Sequence, residues 1–263
     1  MKLTKDQALG LRSILEKQSR NEKHIGYHIL PECFDTVLKG TEYENNYVFW
    51  EKERFSYFVN KVEFYNKKVV DVGCNIGYFL FGVLECGARE VIGYEGKDTC
   101  GEFINKAVNF IDSPERFNFI NEYFQFEGEA GSYDVGLLLN VLHHLGDDYG
   151  ESSLSMTAAK KKMLDQLNGL SKNVETLIFQ MGFNWKGDRH SCLFPNGTKA
   201  EMIEFIREGT YEFWEVQDIG IAERKKEGGV VYQPLSEKNI LRDDSMGEFL
   251  NRPIFVLRTK MRG

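Results

Sequence analysis

Two short stretches hold residue types that could do chemistry. The first is Asp71-Val72-Gly73-Cys74-Asn75-Ile76-Gly77, followed two elements later by Glu95. A glycine turn that opens a helix lets a ligand lie against bare backbone, and a carboxylate ending the next strand can accept hydrogen bonds from a ribose diol. The separation of Asp71 and Glu95 is close to the roughly 20-residue spacing of nucleotide sites. The second stretch is Asn140-Val141-Leu142-His143-His144. Histidine titrates near neutrality, so one ring turned toward a ligand could take a proton from an acceptor group. Neighbouring residues on a helix or turn point about 100° apart, so the two rings must serve different purposes. His144 is the preferred base, with His143 the alternative and a purely structural role for both the bland reading.

Positioning these residues requires an alternation of strands and helices. Val69 and Val70 are β-branched and suit a buried strand that begins at Lys68; 78–84 are an apolar helix, and 90–94 a second strand. A helix over 99–110 and a third strand over 116–120 lead to Asn121-Glu122-Tyr123. The strongly apolar run 133–139 is a fourth strand ending at Asn140, expected beside strand one across the ligand crevice. A helix over 155–170 follows, with Lys160, Lys161 and Lys162 read as a solvated face. Strand five, 176–180, opens into the loop 181–195, which is dense in polar, aromatic and basic groups. Asn184, Trp185, Arg189 and His190 in that loop are the acceptor-recognition candidates. Thr198 and Glu201 form a capping box for another helix. A strand over 213–221, a charged turn 223–229 and a closing strand 253–258 complete the chain. The fold class predicted is α/β, a Rossmann-like doubly wound sheet of seven strands, mostly parallel with the last antiparallel.

About sixty residues precede the first strand. Thr4 and Gln7 make a capping box before Ala8, Leu11, Ile14 and Leu15, which recur at helical spacing. An irregular link near Pro31 contains Tyr27 and His28, candidates for the acceptor pocket. Residues 47–59 are aromatic, with Trp50, Arg54 and Tyr57/Phe58 on one helical face. The domain division expected is 1–64, a helical extension serving as a lid or a homodimer surface, and 65–263, the ligand-binding core.

Composition narrows the classes. A chain of 263 residues, 42% hydrophobic and 28% charged, can bury one large core under a water-compatible surface. No apolar run approaches the roughly 20 residues of a membrane span, and the charged start is unlike a signal peptide, so a cytoplasmic location without membrane contact is expected. Net charge is −7 with pI about 5.4, which argues against non-specific nucleic-acid binding and favours a small acceptor. The five scattered cysteines imply neither a disulfide framework nor zinc. Gly146-Asp147-Asp148 is read as a solvated turn, and no metal is expected.

The pattern D-x-G-x-N-x-G with Glu95 resembles the class I S-adenosylmethionine (SAM) dependent methyltransferases. The resemblance implies that the turn Asp71, Gly73, Asn75 and Gly77 passes under the methionine part of SAM and that Glu95 holds its ribose. It further implies adenine contacts from Glu122 and Tyr123 and a fourth-strand contribution from Asn140. The family has glycine where this chain has Asn75; asparagine tolerates a left-handed backbone, so that conformation is expected at 75. The function expected is methyl transfer to oxygen or nitrogen of a small molecule, a sugar or glycan precursor first. The alternatives are an RNA-modifying enzyme on the same fold and a non-catalytic SAM-binding protein. A dinucleotide oxidoreductase is disfavoured because G-x-G-x-x-G is absent.

Overall fold

The computed structural model describes residues 3–19, 30–39, 50–128 and 131–261. The chain divides into two compact units, Met1–Phe124 and Gln125–Gly263.

The first unit begins with α1 (Lys5–Ser19). Its start is closed by a reciprocal cap, in which the Thr4 amide donates to Gln7 Oε1 (2.8 Å) and the Gln7 amide donates to Thr4 Oγ1 (3.3 Å). Ala8, Leu11, Ile14 and Leu15 are buried, as their spacing requires. A single turn, α2 (Glu32–Asp35), and α3 (Glu51–Lys61) follow. Among the described residues the expected aromatic helix runs from Glu51, with Trp50 at its N-cap. It buries Arg54, Tyr57 and Phe58.

Next come β1 (Lys68–Val72), α4 (Tyr78–Glu85), β2 (Glu90–Tyr94), α5 (Asp98–Ala107) and β3 (Phe117–Ile120). The three strands are parallel, β2 lying between the others, with Val70 opposite Ile92 and Gly93 opposite Phe119. All-parallel strands are buried on both faces, which is why β1 reads as a continuous apolar run interrupted only by Asp71. Helices α1, α2 and α3 pack within this unit, α1 on α5 and α2 and α3 on α4. The Phe58 and Phe79 rings meet at 5.2 Å between centroids. A pair of aromatics at that separation adds about 0.5–1.5 kcal/mol to what their burial contributes.

In the second unit β4 (Tyr133–Leu139), α6 (Met156–Gly169), β5 (Val174–Gln180), α7 (Lys199–Thr210), β6 (Trp214–Arg224), β7 (Val230–Pro234), α8 (Gly247–Leu250) and β8 (Ile254–Thr259) follow in turn. The order is β4-β5-β8-β6-β7. β4 and β5 are parallel; β8 runs antiparallel to both β5 and β6. The closing strand therefore inserts between β5 and β6 instead of extending the edge. The charged hairpin after β6 returns as an eighth strand, β7, beyond the seven expected. Its first four residues alternate between more and less buried, and the strand begins at Val230, just past the turn read over 223–229. Thr198 and Glu201 form the predicted capping box of α7.

One side chain departs from its expected setting. Lys160 is not on a solvated face: its ammonium donates to the Leu193 carbonyl (2.9 Å) and lies 5.0 and 4.8 Å from the Phe194 and Phe205 ring centroids. A long aliphatic stem lets a cation on a helix flank reach an aromatic floor.

Candidate functional site

The first unit holds the glycine turn. Gly73, Asn75 and Gly77 all have left-handed backbones (φ +75°, +52° and +75°). Asn75 thus adopts the conformation that its place in the turn demands, where a β-branched residue would be strained. Its amide oxygen accepts from the Ile76 amide at 2.7 Å. The backbone amides of Gly73 and Cys74 both donate to the Tyr94 carbonyl, at 2.9 and 3.0 Å, which ties the turn to the end of β2.

Glu95 sits where β2 stops. One of its carboxylate oxygens accepts from the Asn75 amide and the other from the Lys97 amide, each at 3.0 Å. The sequence places these residues far apart; the parallel pairing of β1 and β2 brings them together. A carboxylate can accept more than two hydrogen bonds, so this anchoring is compatible with binding a diol. Tyr123 is 44% exposed, and its ring covers Gly96 so closely that a Cβ there would lie 2.4 Å from it. Glu122 is exposed in the same loop. The unit therefore carries six predicted residues, Gly73, Asn75, Gly77, Glu95, Glu122 and Tyr123, in the segments that follow β1, β2 and β3.

Asp71 points into the interior and is 2% exposed. Burial pushes its carboxyl up to about 8, against the counter-pull of the Arg54 guanidinium and with a further upward push from Glu95. Arg54, itself 3% exposed, also stands 5.0 Å from the Phe79 ring centroid. It is a residue missed from sequence, where its only signal was a cation on the apolar stripe of α3. The raised carboxyl has a consequence for stability. Its folded pKa lies above the ordinary aspartate value of about 4, so the stability it supplies is complete at low pH and is lost as pH rises through about 4 to 8. Asp71→Asn removes that titration. The melting temperature of the variant minus that of the native chain should rise across this window and then level; a constant difference would contradict the assignment.

The second unit holds the histidine motif, on a 3₁₀ turn over Leu142–His144 that follows β4. His143 is 2% exposed and its Nδ1 accepts from the Gly182 amide at 3.1 Å. Burial first, then the Arg252 cation and His144, hold it well below the usual imidazole range. It is thus a neutral ring whose proton resides on Nε2. His144 is only partly covered, and its Nδ1 stands 3.3 Å from Asp148 Oδ2, an ion-pair approach and not an aligned hydrogen bond. The two rings lie 4.3 Å apart between centroids and tilted by 45°, His143 buried and His144 partly covered. Ligand atoms of His144, Asp147 and Asp148 also lie within 4.8 Å of one another.

Asn140, left-handed at φ +61°, has both ends of its side chain engaged. Its oxygen accepts from Arg252 Nη1 (2.8 Å) and its nitrogen donates to Gln180 Oε1 (3.3 Å). Arg252 is in turn held by Glu248 through Nε at 3.1 and 3.0 Å. Arg252, Glu248 and Gln180 were not legible as site residues. The one signal was an i, i+4 pair of opposite charges just before the last strand.

The loop after β5 is partly drawn to this motif. Trp185 Nε1 donates to the Leu145 carbonyl at 2.7 Å, and Asn184 bridges to Cys192. Arg189 and His190 are exposed, with His190 bound through its backbone to Asp188. Tyr27 and His28 lie outside the described residues.

No protein-family model matches the chain. It is similar to two curated proteins named tRNA U34 carboxymethyltransferase. One, from Wolinella succinogenes, is 34% identical over 137 residues, 52% of this chain and 44% of the relative. The other, from Nautilia profundicola, is 33% identical over 146 residues, 54% of this chain and 43% of the relative. The chain thus spans less than half the length of the curated relatives it matches. These names overturn the expected small-molecule acceptor and the expectation that a nucleic-acid partner is unlikely, and they favour the RNA-modifying alternative. Net charge is a sum over the whole surface, whereas an RNA is held by local fields and base contacts, so −7 had no power to exclude it. No helix among the described residues is long and apolar enough to cross a membrane. Among solved structures, the bifunctional kinase-methyltransferase WbdD matches with a TM-score of 0.55 at 13% identity, over 93% of this chain and 46% of that one. The eight strands, mostly parallel with antiparallel members at the end, and this likeness give the chain the Rossmann-like class I methyltransferase fold.

Proposed function

We propose that the chain is a SAM-dependent methyltransferase that modifies a base of tRNA. The observation that carries the donor half is the anchored Glu95 carboxylate beside three alternate left-handed positions of the turn, Gly73, Asn75 and Gly77. The amides of this turn are spent on the Tyr94 carbonyl, Glu95, the Asn75 side chain and the Cys74 carbonyl, which fixes its shape, and its glycines let a ligand lie close to the backbone, which fits a nucleoside with an amino-acid tail. Gly73, Asn75, Gly77 and Glu95 would hold SAM, Glu95 at the ribose and Tyr123 with Glu122 at the base, while the buried Asp71 would support the turn. When bound, SAM supplies an electrophilic carbon on a sulfonium. The chain's own task is to orient the acceptor in line, exclude water and accept a proton.

His144 suits the last task. It is the more exposed of the two rings and Asp148 faces its Nδ1, so Nε2 is the nitrogen directed to an acceptor. His143, neutral and buried, serves the scaffold. Asn184, Trp185, Arg189 and His190 would meet the acceptor, with Arg189 suited to phosphate. The tRNA acceptor is supported by the names of the curated relatives. Those names also specify carboxymethyl, and the mass of the modified nucleoside distinguishes that group from methyl.

Binding of bulk tRNA, measured by fluorescence anisotropy across a salt series, tests the acceptor. Affinity should fall linearly in log–log form as salt rises, with Arg189→Ala reducing the slope by about 1. No tRNA binding at low salt would defeat the RNA reading.

A further inference from the structure

Resting on the reading above, we propose that Arg252 is a positioning residue: braced by Glu248, it fixes the end of β4 through Asn140 and so sets the histidine turn from which His144 acts. The geometry is a closed ring of contacts. Arg252 Nη1 donates to Asn140 Oδ1 (2.8 Å); Asn140 Nδ2 donates to Gln180 Oε1 (3.3 Å); Gln180 Nε2 donates to the Arg252 carbonyl (3.0 Å). The Asn140 amide also donates to the Gln180 carbonyl at 2.7 Å. Glu248 Oε1 accepts both from Arg252 Nε and from the Phe183 amide, at 3.1 and 3.0 Å. One segment before β8 thereby ties together the ends of β4 and β5 and the loop beyond β5.

Asn140 needs this support. A non-glycine residue at φ +61° is uncommon, and it persists where the surroundings over-determine it. The next residues enter the 3₁₀ turn, so the orientation of Asn140 decides where both imidazoles go. Arg252 also stands beside His143: a Cβ placed on Gly182 would lie 2.8 Å from His143 Nε2 and 3.2 Å from Arg252 Cζ. The guanidinium is the right group for such a post because its planar fork holds two partners at fixed angles, which an ammonium does not. Side-chain exposures of 15% for Arg252 and 26% for Glu248 keep the pair largely out of water.

Removing Arg252 alone leaves a half-buried carboxylate uncompensated and is expected to destabilise the chain. The informative variant is therefore the double R252Q/E248Q, which replaces the ion pair with two neutral amides. Its melting temperature should lie near that of the native chain. Two readouts then separate positioning from mere support. The nitrogen NMR spectrum of the native histidine rings should show a single Nε2–H tautomer for His143, and the double variant should show exchange broadening or a second tautomer. Turnover on tRNA should fall about tenfold or more, with S-adenosylhomocysteine affinity unchanged, and R252K should not restore it. Native-like ring signals in a well-folded double variant would overturn the proposal. Failure of the native chain to transfer any group to RNA would instead remove the reading beneath it, and the ring spectrum would still decide the positioning.

Discussion

Glu95→Ala is expected to weaken S-adenosylhomocysteine binding by about 10- to 100-fold, as removal of an ionised acceptor of two hydrogen bonds should. The loss has two sources. A ribose diol donates to a charged carboxylate, and hydrogen bonds to charged groups contribute about 1.5–3 kcal/mol each, against about 1 for neutral pairs. The same carboxylate also holds the turn, through the amides of Asn75 and Lys97. Truncation therefore frees the turn as well as removing the ligand contact. Glu95→Gln separates the two: one of its positions becomes an NH2 that would face a backbone N–H, so it should bind more weakly than native although shape is kept. Isothermal calorimetry checks both variants. Native-like affinity in Glu95→Ala would show that the ribose is held elsewhere.

His144→Ala should lower transfer by about 10²- to 10⁴-fold, the range general-base catalysis supplies. Cofactor affinity should stay unchanged, because the turn and Glu95 belong to the other unit. His144→Asn is the sharper variant, since it keeps a polar group of similar reach but cannot titrate. Its pH–rate profile should lose the acidic limb that protonation of a general base gives the native chain. Unaltered turnover in either variant would leave the acceptor to lose its proton directly to water and would end the base assignment. His143→Asn tests the contrast. Its neutral buried ring binds the Gly182 amide, so that change should reduce stability more than it alters the pH profile.

Local signals were read well from the chain. The caps at Thr4 and Thr198 need only the residue and its partner three positions on, and both form. The bounds of β4 follow from an apolar run with clear ends. Asn75 is left-handed because the turn requires it whatever surrounds it. What could not be read depends on pairings across the fold. Arg54 meets Asp71, and Arg252 meets Asn140, only after strands and helices have packed, and an arginine on a helix or before a strand looks like ordinary surface. The return of the hairpin as β7 and the insertion of β8 between β5 and β6 are likewise choices of register and topology, not of composition. The acceptor was misjudged for a related reason: a chain-wide charge count averages away the local field that would meet RNA.

The claim on which the rest depends is that the first unit holds a SAM-type donor through the turn and Glu95. Calorimetric titration of the native chain with S-adenosylhomocysteine tests it most directly. Saturable binding of one ligand per chain, weakened in Glu95→Ala and retained in His144→Ala, is the expected result; absence of binding to the native chain would contradict a SAM-type site.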